Sequence, residues 1–268
     1  MSTPHSNLPA GADLEVVLVN RQPGIITITL NRPDVRNAFD GALRRRLYEV
    51  LREIESYRDV RVIILTGADR SFSAGADLKS GIADDVRMQL LSEYAPPLLA
   101  LRQTDAVVLA AVNGAAAGIG AAFVAAADLA IMADDASLQL AFSRVALVPD
   151  GGLTWELTRA LGYKRAYRLL IEGGRLDAAQ CLDFGLVNEV VSPDRLMLEA
   201  LAWAERIGRM SPLCNGLTKR ALHQALRCHL EEAITYEAGL QQIAAHSEDC
   251  REGVDAFFGK RPPQFTGR

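Results

Sequence analysis

The sequence predicts an α/β fold built on parallel strands, followed by a helical C-terminal region. Three observations carry that reading. Apolar runs of strand length at residues 24–30, 61–66, 107–112 and 128–133 recur with helical segments between them, at roughly thirty-residue spacing, as strand–crossover–strand units do. Two of those runs, 61–66 and 107–112, lead into loops of glycine and other small residues. Beyond Pro149 the pattern turns to helical periodicity and stays there.

Taken in order, residues 14–19 and 24–30 read as two strands around a turn at Arg21-Gln22-Pro23-Gly24. A helix follows over about residues 40–57. Leu43, Leu47, Val50, Leu51 and Ile54 share its apolar face, and Arg44, Arg45, Arg46, Glu49 and Arg52 are expected to face water. The strand 61–66 opens into the loop 67–77. A helix over about 84–104 is expected to be interrupted at Pro96-Pro97. The strand 107–112 runs into Asn113-Gly114, a small-residue loop and a helix, before the strand 128–133. Helices are expected near 153–161, 163–172, 177–184, 193–208, 212–226 and 230–246. The chain divides into a polar tail at 1–12, an α/β core at 13–194 and a helical region at 195–268.

The 268 residues suit one large domain, and 49% apolar with 23% charged residues excludes a disordered chain. A net charge of −4 argues against nucleic acid as a partner. The four cysteines, Cys181, Cys214, Cys228 and Cys250, form no Cys-x-x-Cys pair or Cys/His cluster. No metal site is expected, and reduced thiols suit a cytoplasmic protein. Residues 106–127 carry no charge, but 11 of those 22 are alanine and glycines interrupt the middle. They read as strand, loop and buried helix, not as a membrane span. The N-terminus has no apolar signal segment.

The chemistry is expected in the two loops that follow buried strands: Phe72-Ser73-Ala74-Gly75-Ala76-Asp77-Leu78, and Asn113-Gly114-Ala115-Ala116-Ala117-Gly118-Ile119-Gly120. Ligands of open α/β sheets sit beyond the carboxyl ends of the strands. Small residues let backbone N–H groups approach a ligand, and the second loop opens a helix whose N-terminus favours negative charge. The same residues also suit tight packing. Neither a phosphate-binding P-loop, a complete dinucleotide fingerprint nor a nucleophile elbow occurs. His223, His229 and His246 lie in the helical part, away from any candidate nucleophile.

Together with Ile26-Thr27-Ile28-Thr29-Leu30-Asn31-Arg32-Pro33, Asn37-Ala38, Leu157-Thr158-Arg159-Ala160-Leu161-Gly162 and Phe184-Gly185-Leu186-Val187, these loops make a chain that resembles the crotonase superfamily over residues 14–260. The resemblance implies a spiral of ββα turns with a C-terminal helical trimerisation region, in homotrimers or dimers of trimers. It implies an acyl-CoA thioester substrate and no separate cofactor. It assigns the two oxyanion donors to the N–H groups of Ala76 and Ile119. It places Asp34, Val35, Arg36, Ala74, Asp77, Leu78, Lys79, Phe257 and Lys260 for contacts to CoA, with Arg36, Lys79 and Lys260 able to meet phosphates. The segment 80–94 is expected to shape the acyl pocket.

The two carboxylates of the typical hydratase fall on Ala122 and Phe142, which transfer no protons. Asp150, in Val148-Pro149-Asp150-Gly151-Gly152, is either a helix-capping acid or a catalytic one. This segment resembles that of epoxide-type phenylacetyl-CoA isomerases, which points to Asp150 as a single acid/base in double-bond isomerisation. Burial against Trp155 and Phe142 would raise its pKa. The alternatives are a hydratase using Asp150 or Glu156, a dehalogenase-like reaction with Asp150 as nucleophile, and a CoA-ester-binding protein without turnover.

Overall fold

The computed structural model describes residues 16–57 and 59–268. The expected tail at 1–12, and residues 14–15 of the first expected strand, lie outside the described residues. β1 (Val17–Gln22) and β2 (Ile25–Leu30) pair antiparallel, and α1 (Gly41–Glu55) follows. Three units of one construction come next. The first contains β3 (Val62–Gly67), β4 (Ser71–Ser73) and a helical stretch made of α2 (Val86–Gln89), a π turn at Leu90–Tyr94 and α3 (Ala95–Gln103). The second contains β5 (Val107–Val112), β6 (Ala115–Ala117) and α4 (Ile119–Ala126). The third contains β7 (Leu129–Ala133), β8 (Ser137–Gln139), α5 (Leu153–Leu161) and α6 (Tyr163–Ile171). β9 (Arg175–Asp177), α7 (Ala178–Asp183) and β10 (Glu189–Val191) lead to the helices α8 (Leu196–Gly208), α9 (Pro212–Ala225), α10 (Leu230–Ala245) and α11 (Glu248–Gly259).

In every unit the first strand joins a six-stranded sheet of order β1-β2-β3-β5-β7-β10, parallel from β2 onward, and the second strand joins a four-stranded sheet of order β4-β6-β8-β9. This repeated step between two sheets is the crotonase-like ββα spiral. Strand β3 is buried along its whole length, as a parallel strand covered on both faces must be. α1 buries Leu43, Leu47, Val50, Leu51 and Ile54, each contributing about 1.5–3 kcal/mol relative to an exposed side chain. Its N-terminus is capped by Asp40, which accepts from the Leu43 N–H at 2.8 Å.

Two expectations need correction. Arg44 and Arg46 do not face water, for each is only 8% exposed. Arg44 is drawn in by Glu93 and by the Phe39 carbonyl, Arg46 by Glu49 and Glu53, so partners meet both charges. Nor do Pro96-Pro97 interrupt the helix. They occupy its first turn in α3, where the missing N–H groups cost little. The turn before them widens instead, with the Ala95 N–H donating to the Leu90 carbonyl.

Residues 106–127 form β5, β6 and α4 inside the core, and no helix among the described residues is long and apolar enough to cross a membrane. The crossing from β3 to β4 is held by two asparagines. Asn37 Nδ2 donates to the carbonyls of Ala68 (2.9 Å) and Ser71 (2.7 Å), and Asn113 Nδ2 donates to those of Gly67 and Asp69 (both 2.8 Å). The helical region is tied on by Lys219, whose Nζ meets Asp128 Oδ2 at 2.8 Å and the Leu101 carbonyl at 3.0 Å.

Candidate active site

The loop after β4 is clamped to the loop before α1. The Phe39 N–H donates to the Gly75 carbonyl at 2.7 Å, and the Asp77 N–H donates to the Phe39 carbonyl at 3.1 Å. Both bonds flank Ala76, so its own N–H points the other way, as backbone groups alternate along a parallel pairing. Ile119 is the first residue of α4, and its N–H is one of the helix-start donors with no intrahelical acceptor. Neighbouring groups are occupied: the Gly118 N–H donates to the Gln139 carbonyl at 2.9 Å, and Ala121 donates back to Gly118 at 3.0 Å. Neither the Ala76 N–H nor the Ile119 N–H donates to an acceptor among the described residues.

The two loops lie against each other because glycine allows it. Gly75 has φ 90°, and a Cβ there would lie 2.8 Å from the Ala117 carbonyl oxygen. No L-residue fits that approach without displacing the second loop. Two backbone donors held on adjoining loops, one at a helix N-terminus, suit an oxygen that gains negative charge.

Asp150 stands in the turn that precedes α5. Gly151 beside it has φ 63°, and a Cβ at that position would lie 2.5 Å from Ile119 Cδ1 and 2.6 Å from Ala122 Cβ. The Asp150 turn therefore rests directly on the first turn of α4. Gly151→Ala is expected to cost about 2–4 kcal/mol, from the left-handed backbone and the overlap together, and a thermal melt measures it. Asp150 Oδ1 is buried and has no hydrogen-bond partner. Burial pushes its carboxyl from 3.8 up to about 6. It lines a cavity of ≈ 420 Å³ whose walls include Leu91, Tyr94, Leu98 and Trp155.

The two positions at which a hydratase carries its acids are filled differently. Ala122 is buried beneath Gly151, and the Phe142 ring lies 3.8 Å from the Cβ position of Gly118. Glu156 lines the same cavity but is ion-paired with Arg102. Trp155 is flanked by guanidinium carbons of Arg102 and Arg159, at 4.8 and 3.9 Å from its ring centroid. Tyr94, the last residue of the segment expected to shape the pocket, lines the cavity, and its hydroxyl accepts at 2.9 Å from Arg44, which the sequence had placed in water.

Of the expected CoA contacts, two groups adjoin. The Ala74 N–H donates to the Arg36 carbonyl at 2.8 Å, bringing the turn at Pro33–Val35 beside the loop of residues 74–79. Asp34, Arg36, Ala74, Leu78 and Lys79 are exposed there and Val35 is half-buried. The Asp77 carboxylate is engaged within the fold, accepting from Arg32 Nη1 at 3.0 Å and from the Lys79 N–H at 3.2 Å. Phe257 and Lys260 are exposed, at the end of α11 and just beyond it. Further along the chain, the Phe265 carbonyl accepts from Arg61 Nη2 at 2.6 Å, just before β3 begins. The loop of residues 74–79 follows the far end of that strand, about 20 Å away for six residues. No hydrogen bond or ion pair among the described residues joins Phe257 or Lys260 to that loop.

Comparison with known proteins decides the family. Residues 20–268 match the family model described as enoyl-CoA hydratase/isomerase. The chain belongs to this family. The crotonase enzyme is 37% identical over 261 residues to 1,2-epoxyphenylacetyl-CoA isomerase of Escherichia coli, covering 95% of this chain and 100% of the relative. It is 39% identical over 247 residues to a probable enoyl-CoA hydratase of Rhodobacter capsulatus, covering 91% and 95%. An enoyl-CoA hydratase from Bacillus anthracis has a similar structure, with a TM-score of 0.91, 33% identity, and coverage of 94% and 100%. Both names, isomerase and hydratase, thus occur among relatives of this crotonase.

Proposed function

We propose that this crotonase moves a double bond in the acyl chain of a CoA thioester, with Asp150 as the only acid/base. The carrying observation is Asp150 itself, which lines the cavity with its Oδ1 buried and unpartnered, while the two hydratase positions hold Ala122 and Phe142 and so supply no second acid. The thioester carbonyl oxygen lies between the N–H groups of Ala76 and Ile119. Asp150 takes a proton from C2 of a 3-enoyl thioester. The C–H electron pair spreads through the conjugated system onto the carbonyl oxygen, which the two N–H groups stabilise. The dienolate collapses as Asp150 returns the proton to C4, leaving the double bond between C2 and C3. One group suffices because the proton taken up is the proton given back.

Hydration needs a second group to orient water while the first moves a proton. Glu156, the other acid on the cavity, is held by Arg102, which favours isomerisation over hydration. Absorbance of the conjugated 2-enoyl thioester, followed with paired trans-3-enoyl-CoA and trans-2-enoyl-CoA, tests the reading. Formation of the conjugated product from the first ester is expected. Hydration of the second ester without isomerisation of the first would reverse it, and binding without either reaction would point to a CoA-ester-binding protein.

CoA is held along Asp34, Val35, Arg36, Ala74, Asp77, Leu78 and Lys79, with Arg36 and Lys79 on its phosphates. Phe257 and Lys260 reach the CoA of another copy, since their segment is fixed to the opposite end of their own sheet. A homotrimer or dimer of trimers suits the apolar surface of the C-terminal helices. α10 buries none of its own residues, and Phe257 and Phe258 are 79% and 78% exposed. Light scattering is expected to give three or six chain masses; a monomer would remove Phe257 and Lys260 from the site.

A further inference from the structure

Ser73 is the last residue of β4 and has no exposed surface. A buried hydroxyl is costly unless it is hydrogen-bonded, and an alanine would fill the same space without that cost. The Ser73 hydroxyl is bonded twice, in one direction. It donates to the Asn37 carbonyl at 2.8 Å, and its oxygen accepts from the Gly75 N–H at 3.1 Å. A carbonyl only accepts and a backbone N–H only donates, so neither bond can reverse. The carbonyl end of this relay is a fixed anchor. Asn37 is buried at φ 57°, a left-handed conformation in which asparagine is enriched. Its side chain accepts from the Arg32 N–H at 2.9 Å and donates to the carbonyls of Ala68 and Ser71.

The other end is the residue before Ala76. Gly75 is held on both sides. Its N–H goes to Ser73, and its carbonyl accepts from the Phe39 N–H at 2.7 Å. These bonds pin the two peptide planes that flank it, and so hold a φ of 90° that a glycine has no side chain to maintain. The Ala76 N–H lies in the second of those planes, so its direction follows from both bonds. The same serine also meets the helix of the other donor. A Cβ at Gly120 would lie 2.8 Å from Ser73 Cβ and 3.0 Å from the Ser73 carbonyl oxygen. The first turn of α4, with Ile119 next to Gly120, therefore rests directly on Ser73.

We propose that Ser73 is a positioning residue for the oxyanion donors. Its hydroxyl holds Gly75 so that the Ala76 N–H is aimed at the thioester oxygen, and its Cβ sets how closely the first turn of α4 brings Ile119. Ser73 touches no ligand itself. The two roles separate in Ser73→Ala, which keeps the Cβ contact and loses only the aim of Ala76. The inference rests on the reading of the Ala76 and Ile119 N–H groups as the oxyanion donors.

The test reads the aim directly, as the infrared carbonyl band of bound hexanoyl-CoA labelled with carbon-13 at the carbonyl. This saturated ester has no double bond to move. In the wild type the band is expected below that of the same ester in water, because preorganised donors weaken the C=O bond. In Ser73→Ala it is expected to move at least halfway back. The kcat for trans-3-hexenoyl-CoA is expected to fall about tenfold, less than when a donor is deleted outright, while the hexanoyl-CoA dissociation constant stays within about twofold. Ser73→Cys, with a weaker donor and acceptor, is expected to lie between the two. A Ser73→Ala protein that melts lower but keeps the wild-type band and kcat has lost only a structural bond, and overturns the proposal. Should Ser73→Ala not fold, a wild-type band in Ser73→Cys overturns it equally. A wild-type band no lower than in water would instead overturn the reading of the two donors, and the two failures are distinguishable.

Discussion

Asp150→Asn is expected to lower kcat for double-bond migration by about 10³-fold, within the range lost when a positioned acid/base is removed. Asparagine keeps the shape of the side chain and leaves the turn intact, because the bond from the Leu153 N–H at 3.1 Å goes to the Asp150 backbone carbonyl. What it removes is a group able to hold a proton between two carbons. CoA-ester affinity is therefore expected to change little, which separates chemistry from binding. The pH dependence follows from the same burial. The carboxylate form starts the cycle, so kcat/KM for the wild type is expected to rise through about pH 6 and then level off.

Stability moves the opposite way. The native carboxyl holds its proton up to about pH 6, whereas the unfolded one releases it near 3.8. The native state thus binds more protons in that window, and stability falls as pH rises from 3.8 to about 6. Above it, Asp150→Asn is expected to be more stable than wild type by about 2 kcal/mol, after screening at the cavity mouth. Below the window the two are expected to match. Melting temperatures at both ends check this. A helix-capping aspartate would show the reverse, since its loss destabilises the fold.

Ile119→Pro is the second large effect. Ile119 is the first helical residue of α4, the position at which proline fits the backbone and removes only an N–H that the helix does not use. The substitution deletes one oxyanion donor, and a loss of about 10²–10³-fold in kcat is expected. Ile119 also packs on Gly151, so Ile119→Ala serves as the control: it loses the side chain but keeps the N–H. Equal loss in both variants would mean that packing, and not the donor, matters at this position. Circular dichroism of each variant verifies that α4 survives.

Much of this molecule was legible where periodicity is strong. α1, β3, β5 and α5 lie within a residue or two of their expected places, because an apolar face or an unbroken apolar run leaves little choice. β4, β6 and β8 have three residues each, and no alternation distinguishes such strands from loops. They exist because the chain steps to a second sheet, which is a property of the whole spiral. α11 was missed although Ser247 caps it, accepting from the Cys250 N–H at 2.9 Å, with Glu248 and Asp249 in the first turn. Within the site, glycines flagged both loops, since close approach of backbone has a sequence signature. Arg44 and Tyr94 had none. One reads as a solvated helix cation and the other as the end of a pocket-shaping segment, and only tertiary packing reveals that they bond.

The Asn113-Gly114 pair carries a chemical clock. Asparagine followed by glycine is the dipeptide most prone to lose its amide, because an unhindered glycine nitrogen readily attacks the side-chain carbonyl. Here the amide is spent on the carbonyls of Gly67 and Asp69, and a Cβ at Gly114 would lie 2.2 Å from the Arg70 carbonyl oxygen. Ring closure therefore has to wait for the β3–β4 crossing to open. An aspartate or isoaspartate formed at 113 would no longer donate to those carbonyls, so each ageing event would leave the crossing looser than before. The slow appearance of that product in stored protein thus counts the openings of the β3–β4 crossing.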